Sequence, residues 1–281
     1  MNKINLGKKL IVCDLDGTLL DKIEGLSKNF AIRLNKLIKN GLDFTISTGR
    51  DYENTKKALK YVKFKNPIIL TNGALLVTYP KCKILNFYSI ENKIIQQVLL
   101  ASKEFNLKPM VIAFIDLKKK KTIFLKGNWS NPYKLKFLEE KDYIKYISNN
   151  SNLFISIQFC EKFEKLNEFK NYIENLYKND LYIILIEDAF LKNYFWLEFN
   201  DKRARKEEML KILIQLKGYK YKDVIVFGDE LNDLGSFELA GIKIAVANAN
   251  PLLKQKADII IETNKNGGVI SYLEENIDNL L

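Results

Sequence analysis

The sequence predicts an α/β protein in which an inserted α+β domain interrupts a parallel-sheet core. At both ends of the 281-residue chain, short apolar runs alternate with stretches that carry apolar residues at helical spacing. Most of these apolar runs end in polar side chains. The middle of the chain differs, with longer Lys-rich strands and hairpin signals. We therefore predict a core formed by residues 1–82 and 195–281, and an inserted domain over residues 83–194.

The first strand is predicted over Leu10–Cys13, which has the short length and β-branched content of a strand buried on both faces. Two carboxylates, Asp14 and Asp16, follow this strand, and Gly17 permits a tight turn beside them. Taken alone, this Asp-Gly pattern is equally typical of a simple turn. In open α/β sheets, however, ligands bind at the carboxyl ends of the strands, so two acids placed there can act on one ligand.

The alternation continues through the first part of the chain. A helix, a strand, a second helix and a third strand are predicted over residues 28–39, 42–46, 52–61 and 67–70. Ser27 is the predicted N-cap of the first helix. The second strand ends at Ser47 and Thr48 and the third at Asn72, so apolar runs again end in polar groups.

The inserted region is predicted to hold a small antiparallel sheet and two helices. The predicted strands cover residues 110–117, 122–125, 152–159 and 181–186, and the helices cover residues 90–105 and 163–177. The four-lysine run 118–121 is predicted to be a solvated hairpin turn, with a substrate-binding role as the less favoured alternative. Trp129 and Trp196 are predicted to be packing residues.

The α/β alternation is predicted to resume at residues 195–199. A basic cluster then opens a helix that runs to about residue 217. The apolar strand 224–227 ends in GDELND, which contains Asp229 and Asp233, and the strand 242–246 ends close to Asn248. Five apolar runs thus end in polar groups, and in a parallel sheet such ends converge on one pocket.

Composition excludes several kinds of chemistry. The chain has no histidine, which rules out Ser-His-Asp and Cys-His catalysis and histidine-ligated metals. Its three cysteines are widely spaced, which favours a reduced compartment over a disulfide framework. The sequence contains neither a membrane-spanning apolar stretch nor a signal-peptide pattern, so we expect a cytoplasmic protein without a membrane partner.

The formal net charge of +11 is compatible with nucleic-acid binding. The lysines are, however, spread along the chain, and no nucleic-acid-binding motif is present. We therefore expect no nucleic-acid partner, and a positive field that suits a small phosphorylated substrate equally well.

The predicted pocket calls for a cation. Several carboxylates at one sheet edge repel one another unless a metal ion lies among them, and oxygen ligands without His or Cys favour Mg²⁺. Mg²⁺ takes few protein carboxylates and completes its coordination with water and substrate phosphate. Together with nearby hydroxyls, amides and a lysine, such a site has the parts that phosphoryl transfer requires.

Four segments in this chain order resemble the motifs of the haloacid dehalogenase superfamily of phosphatases: DLDGT, STGR, a lysine at the start of a later helix, and GDELND. The segments TNGA and ANANPLLKQKAD further resemble its Cof-type branch. The resemblance implies a Rossmann-like parallel-sheet core, with an α+β cap inserted between the second and third motifs. It also implies that this cap reads the leaving group.

The resemblance implies that Asp14 is the nucleophile and Asp16 the general acid and base. Thr48 and Lys206 would hold the transferring phosphoryl group. Two alternatives stay open, because Ser47 competes with Thr48, and Lys202 competes with Lys206. We favour Thr48 for its place directly before the glycine of STGR, and Lys206 for its place at the helix start.

The metal ligands implied by the resemblance are Asp14, Asp16 through its backbone carbonyl, Asp229, and Asp233 directly or through water. Implied substrate-binding residues come from the loops that follow the strands. They are Ser47, Gly49, Asn72, Gly73, Asn232 and Asn248.

The function implied is a Mg²⁺-dependent phosphatase that hydrolyses a small phosphorylated metabolite, such as a sugar phosphate, nucleotide, flavin or vitamin phosphate, through an aspartyl phosphate. A phosphosugar mutase of the same superfamily is one alternative. A non-enzymatic phospho-receiver module is another, although it predicts a domain of about 120 residues without an inserted cap. We expect a monomer or a weak homodimer.

Overall fold

The computed structural model describes residues 8–22, 25–119, 121–127, 137–149, 151–188 and 192–281. Two compact units make up the chain, the first formed by residues up to Asn86 together with Arg205–Leu281, and the second by Phe87–Ala204. Trp129 and Lys120, which the sequence analysis had singled out, lie outside the described residues. Within those residues, no helix is long and apolar enough to cross a membrane.

Both units contain strands and helices. In chain order the strands are β1 (Leu10–Cys13), β2 (Asp43–Ile46), β3 (Ile68–Leu70), β4 (Leu75–Val77), β5 (Ile84–Phe87), β6 (Val111–Asp116), β7 (Lys121–Lys126), β8 (Asn152–Glu161), β9 (Leu181–Glu187), β10 (Phe195–Asp201), β11 (Val224–Gly228), β12 (Ile242–Val246) and β13 (Ile259–Ile261). The helices are α1 (Lys28–Lys39), α2 (Tyr52–Ala58), α3 (Asn92–Glu104), α4 (Glu140–Ile147), α5 (Phe163–Tyr177), α6 (Lys206–Lys217), α7 (Leu234–Glu238), α8 (Pro251–Lys254), α9 (Gly268–Glu275) and α10 (Ile277–Leu280).

The first unit is built on a parallel sheet with the strand order β13-β12-β11-β1-β2. Strand β1 lies between β11 and β2, and its four residues are at most 1% exposed, as its unbroken apolar sequence predicts. Cys13 is in register with Phe227 of β11 and with Ile46 of β2. The carboxyl ends of these three strands are therefore level, and the polar residues that follow them emerge together.

Strand β3 departs from the predicted arrangement of five apolar runs in one sheet. It pairs antiparallel with β4, in a small sheet of order β3-β4-β5. One parallel bridge, between Ser47 and Ile69, links it to the chain just after β2. The residues that follow β3 still reach the same edge, because the Thr48 amide donates to the Ile69 carbonyl at 3.0 Å.

The predicted helices of the first unit occur with small differences in length. Helix α1 has the predicted bounds, and the Phe30 amide donates to the Ser27 hydroxyl at 3.4 Å, as expected for an N-cap. Helix α2 ends at Ala58 instead of residue 61. The chain turns there, and Val62 and Phe64, which follow the turn, are each only 4% exposed.

The second unit is a five-stranded antiparallel sheet of order β7-β6-β8-β10-β9. One face of the sheet carries large apolar side chains that pack in one core with α3 and α5. The β6–β7 turn exposes Lys118 and Lys119, as predicted for a solvated hairpin turn. Trp196 is half-buried, and its Nε1 donates to Asp188 at 2.5 Å.

Residues 195–199 were predicted to lie in the core, and this prediction is wrong. They belong to β10, which pairs antiparallel with β8 and β9 in the sheet of the second unit. The second passage between the units therefore lies at Ala204 and Arg205, about one strand later than predicted. An apolar strand must be buried, but its composition does not specify which sheet buries it.

Candidate active site

Three carboxylates meet at the carboxyl edge of the parallel sheet. Asp14 directly follows β1, and Asp229 and Asp233 follow β11. Each offers a carboxylate oxygen, and these three oxygens lie within 4.8 Å of one another. The three residues are 7%, 9% and 2% exposed, so their charges are largely removed from solvent.

Lys206 supplies a positive charge to this cluster. It is the first residue of α6 and is 2% exposed. Its Nζ donates to Asp14 at 2.6 Å and to Asp233 at 2.8 Å. Lys202, the alternative in the sequence analysis, is exposed and belongs to the second unit. The structure thus brings Lys206 to the carboxylates.

Burial and mutual repulsion set the protonation of the cluster. Burial, reinforced by the charge of Asp233, raises the pKa of Asp229 to about 7. Burial also raises the pKa of Asp14, against the opposing charge of Lys206. Burial alone would lower the pKa of Lys206, but Asp14 and Asp233 outweigh it, so this pKa is raised and the ammonium is retained.

The charges in this cluster do not balance. Three ionised carboxylates and one ammonium leave a net charge of −2 in a buried place. Hard oxygen donors and this excess charge fit a divalent cation such as Mg²⁺. Burial first, and then the negative charge of Asp233, raise the pKa of Asp229 in this cluster.

Two residues of the turn after β1 shape the position of Asp229. The Thr18 hydroxyl is fully buried and donates to Asp229 Oδ1 at 2.6 Å. Gly17 has φ +81°, and a Cβ placed there would lie 2.1 Å from Asp229 Oδ2. Only glycine combines this backbone conformation with such a close approach. The DLDGT turn therefore fits closely around the acid that follows β11.

Asp16 is held apart from the three-carboxylate cluster by Arg50. The Arg50 guanidinium binds it in a bidentate pair, with Nε 2.7 Å and Nη2 2.6 Å from its two oxygens. The Asp16 side chain is 44% exposed, so its carboxylate lies at the mouth of the site. This position leaves the carboxylate accessible to solvent.

Ser47 and Thr48 are both buried in the loop after β2. The Thr48 hydroxyl accepts a hydrogen bond from the Arg50 amide at 3.2 Å. The Ser47 hydroxyl has no hydrogen-bond partner among the described residues. Between them and Arg50 lies Gly49, where a Cβ would approach the side chain of Asn72 to 3.1 Å. The structure leaves the choice between the two hydroxyls open.

The turn after β3 brings two more predicted residues to this edge. Thr71 and Asn72 both have φ +51°, which is strained for the β-branched threonine. Gly73 lies against α6, since a Cβ there would be 2.1 Å from the Arg205 carbonyl oxygen. The side-chain Nδ2 of Asn232 donates to Asn72 Oδ1 at 3.2 Å, which joins the turns after β3 and β11.

Asn248 also lies at this edge, but its side chain is engaged with backbone groups. Its Nδ2 donates to the Gly17 carbonyl at 2.8 Å, and its Oδ1 accepts from the Asn264 amide at 3.1 Å. These contacts fasten the DLDGT turn to the end of the sheet. A substrate-binding role for Asn248 stays a prediction.

Sequence reasoning assigned no role to Thr18 or Arg50. Both belong to predicted motifs, DLDGT and STGR, in which only neighbouring residues have predicted roles. The available signals were a hydroxyl residue that directly follows a glycine, Thr18 after Gly17, and an arginine that directly follows a glycine, Arg50 after Gly49. Their partners, Asp229 and Asp16, lie far away in the sequence, so spacing alone does not reveal the contacts.

Comparison with known proteins places this geometry in a family. Residues 11–273 match the family described as haloacid dehalogenase-like hydrolases. A phosphoglycolate phosphatase from Staphylothermus marinus is 25% identical, over 96% of this chain and 98% of its own length. The 5-amino-6-(5-phospho-D-ribitylamino)uracil phosphatase of Bacillus subtilis is 24% identical, over 95% of this chain and 96% of its own length.

Solved structures share the fold. A protein from Thermotoga maritima superposes with a TM-score of 0.77 at 23% identity, covering 96% of this chain and 97% of its own. A haloacid dehalogenase-like hydrolase from Bacteroides thetaiotaomicron gives a TM-score of 0.76 at 22% identity, covering 96% and 99%. These structures bear out the predicted combination of a Rossmann-like parallel-sheet core with a second α+β unit.

Proposed function

The chain belongs to the haloacid dehalogenase-like hydrolase family and is a phosphoric monoester hydrolase, and we propose that it uses Mg²⁺ and an aspartyl phosphate to hydrolyse a small phosphorylated metabolite. The observation that carries this proposal is the buried group of Asp14, Asp229, Asp233 and Lys206. It combines a nucleophile with a site for a cation. Both are needed to bring a carboxylate to a phosphate dianion.

In the first proposed step, an Asp14 oxygen attacks phosphorus and the bond from phosphorus to the leaving oxygen breaks. Asp16 gives its proton to that oxygen, so the product alcohol departs neutral. In the second step water attacks the aspartyl phosphate, its proton passes to Asp16, and inorganic phosphate leaves. Asp14 is then again a free carboxylate and Asp16 is again protonated.

Lys206 and the loop hydroxyls have supporting roles in this scheme. The ammonium opposes the rise in the pKa of Asp14 that burial causes, and it offers charge to the phosphoryl oxygens. Thr48 or Ser47 would donate to the same oxygens. Asp14, Asp229 and Asp233, with the Asp16 backbone carbonyl, would hold Mg²⁺. When bound, this ion neutralises negative charge on the phosphoryl group.

The first experiment measures hydrolysis of p-nitrophenyl phosphate with Mg²⁺ and with EDTA. We expect turnover with Mg²⁺, none with EDTA, and none in the Asp14→Asn variant. Asp223→Asn is the matched control, because Asp223 precedes β11 at the opposite end of the strand and pairs with Lys9. Equal activity with EDTA, or in Asp14→Asn, would contradict the proposal.

A second measurement tests the intermediate. In Asp16→Asn, the acid and base is lost, so we expect hydrolysis of the phosphoenzyme to slow more than its formation from an activated ester such as p-nitrophenyl phosphate. Intact-protein mass spectrometry after rapid acid quench should then show one added phosphoryl group. Turnover with no phosphoprotein detectable in either the wild type or Asp16→Asn would instead indicate direct attack by water.

Two alternatives give different products. A phosphosugar mutase of the same superfamily would return an isomerised sugar phosphate with little free phosphate, which phosphorus NMR distinguishes. A phospho-receiver would accept one phosphoryl group without turnover. The family match over residues 11–273 favours a hydrolase over a receiver. Phosphoglycolate and a phosphorylated ribitylaminouracil, named for two relatives, belong in the first substrate screen.

We also propose that the protein acts in the cytoplasm, as a monomer or weak homodimer, without nucleic-acid or membrane partners. Its three cysteines are unpaired, which suits a reducing compartment. Light scattering at several protein concentrations tests the oligomeric state. Oligonucleotide binding that persists at physiological salt would contradict the proposed absence of a nucleic-acid partner.

A further inference from the structure

A groove in the first unit is lined by five lysines. Its volume is about 700 Å³, within the range of about 300–1,000 Å³ that is typical of small-molecule sites. Lys56 and Lys57 belong to α2, and the other three, Lys60, Lys63 and Lys65, belong to the segment that joins α2 to β3. All five residues are exposed, so they form a lysine rim around the groove.

The floor of this groove is apolar. It is formed by Val62, Phe64, Tyr79 and Pro80, of which the first three are at most 8% exposed. The rings of Phe64 and Tyr79 stack with 4.5 Å between their centroids and 8° between their planes. The Phe64 ring also meets Phe44 edge-on, with 6.0 Å between the centroids. The groove therefore combines a well-packed apolar floor with a cationic rim.

The positive charge of the rim has no counterpart in the structure. None of the five lysines forms an ion pair with the residues that the structure describes. Against these lysines stands one acidic side chain, Glu53, so the described lining has a formal excess of four positive charges. Cations suit the last turn of a helix, which accounts for Lys56 and Lys57. It does not account for the three lysines that follow the helix.

The groove lies at the far end of the β3–β4 hairpin from the candidate active site. Strand β4 runs antiparallel to β3, with Ile68 level with Val77. Lys65 precedes β3 and Tyr79 follows β4, whereas Asn72 lies in the turn between the two strands. The groove is therefore a second place for a ligand, separate from the residues predicted to bind the substrate phosphate.

We propose that this groove binds a nucleoside triphosphate, with the phosphates on the lysine rim and the base and ribose on the apolar floor. A triphosphate chain carries about four negative charges at pH 7, which matches the excess charge of the lining. Several lysines around one groove suit a chain of phosphates better than a single phosphate. The base supplies a largely apolar group for the floor. This inference does not depend on the proposed phosphatase function.

The test is isothermal titration calorimetry of the full-length protein in EDTA with three probes. ATP carries both parts of the proposed ligand, tripolyphosphate carries only the charge, and adenosine carries only the base and ribose. In EDTA the three-carboxylate cluster repels phosphate, so binding there does not interfere. We expect one equivalent of ATP to bind about fivefold or more tightly than tripolyphosphate, and adenosine not to bind detectably. ATP affinity should fall as salt is added.

A double variant places the binding in the groove. Lys63→Gln with Lys65→Gln removes two charges from the rim and should weaken ATP binding about fivefold or more. Lys220→Gln with Lys256→Gln is the matched control, because both are exposed lysines of the same unit outside the groove. The control should keep the ATP affinity within about twofold, since distant surface charges are screened. In the wild type, ATP should also protect the rim lysines from acetylation, measured by mass spectrometry, without protecting the two control lysines.

Several outcomes would overturn this inference. The first is no binding of ATP, and the second is equal affinity for ATP and tripolyphosphate, which would indicate a general polyanion surface. The third is an equal loss of ATP affinity in the two double variants, which would indicate a response to net charge alone. Failure to hydrolyse p-nitrophenyl phosphate would remove the proposed function and leave these binding results unchanged, so the two failures are distinguishable.

Discussion

The raised pKa of Asp229 predicts an unusual pH dependence of stability in the metal-free protein. The pKa of this carboxyl is about 7 in the folded chain, against about 4 when unfolded. Between these values the folded state binds more protons than the unfolded state. The free energy of unfolding must therefore fall as pH rises through this range.

The size of the effect follows from the same shift. Between pH 5 and pH 8 the unfolded carboxyl is ionised throughout, while the folded one loses its proton. Integration over that range gives a loss of about 2.5 kcal/mol of stability from Asp229. The raised pKa of Asp14 acts in the same direction. The chain has no histidine, the side chain that ordinarily titrates between pH 5 and 8.

Other shifted groups contribute outside this window. Hydrogen bonds and ion pairs lower the pKa values of Asp43 and Asp223. The contribution of these two carboxylates to the free energy of unfolding is therefore complete above about pH 4 and is lost only at lower pH. The pKa of Lys206 is raised above its ordinary value near 10, so it remains charged throughout the window. The range from pH 5 to 8 therefore isolates the carboxylate cluster.

The assay is urea unfolding at pH 5 and pH 8 in EDTA, followed by circular dichroism. We expect a higher unfolding free energy at pH 5 in the wild type and a smaller difference in Asp229→Asn, which removes the titrating group while keeping its shape. Added Mg²⁺ should stabilise the wild type more at pH 8, where the ligands are ionised. Wild-type stability that stays constant or rises between pH 5 and 8 would refute the reasoning.

Three further predictions concern the residues around the cluster. Thr18→Val removes the charge-assisted hydrogen bond to Asp229, worth about 1.5–3 kcal/mol, and so should weaken Mg²⁺ binding measured by calorimetry at pH 7. Thr18→Ser keeps the hydroxyl and should bind Mg²⁺ normally. Normal binding in Thr18→Val would contradict the proposed role of Thr18 in positioning Asp229. Arg50→Lys removes the bidentate hydrogen bonds to Asp16 and should lower kcat about tenfold or more, with a shifted pH profile of kcat. An unchanged pH profile would contradict the idea that Arg50 positions Asp16. Gly17→Ala forces a Cβ to within 2.1 Å of Asp229 and should destabilise the fold by more than about 1 kcal/mol in thermal unfolding, so a wild-type Tm would contradict the close fit.

The sequence was most informative where structure is decided locally. Helix α5 has the predicted bounds because its apolar residues recur at helical spacing, and α1 because a serine cap also marks its start. Strand β10 was assigned to the wrong unit because an apolar run does not identify its partner strand. The Arg50–Asp16 pair was missed for the same reason, since it is a contact between distant segments.

The DLDGT and GDELND motifs are far apart in the sequence, and yet the sequence allowed their proximity in the fold to be predicted. Parallel strands have their carboxyl ends on one edge, so acids that follow such strands must emerge on the same side whatever the strand order. The observed order then makes β1 and β11 neighbours, with Cys13 level with Phe227. This pairing sets Asp14 beside the turn that carries Asp229. The strand order decides only how close the acids come.

That closeness is unfavourable for the folded chain without a cation. Asp14, Asp229 and Asp233 would be better solvated apart, and Lys206 compensates only part of their charge. The excess charge that lowers stability at neutral pH is also what would attract a divalent ion and draw a substrate phosphate to it. Asp14 and Asp229 should therefore govern both the loss of stability above pH 5 and the recovery on adding Mg²⁺. Asp229→Asn should diminish both effects together if they have this common origin.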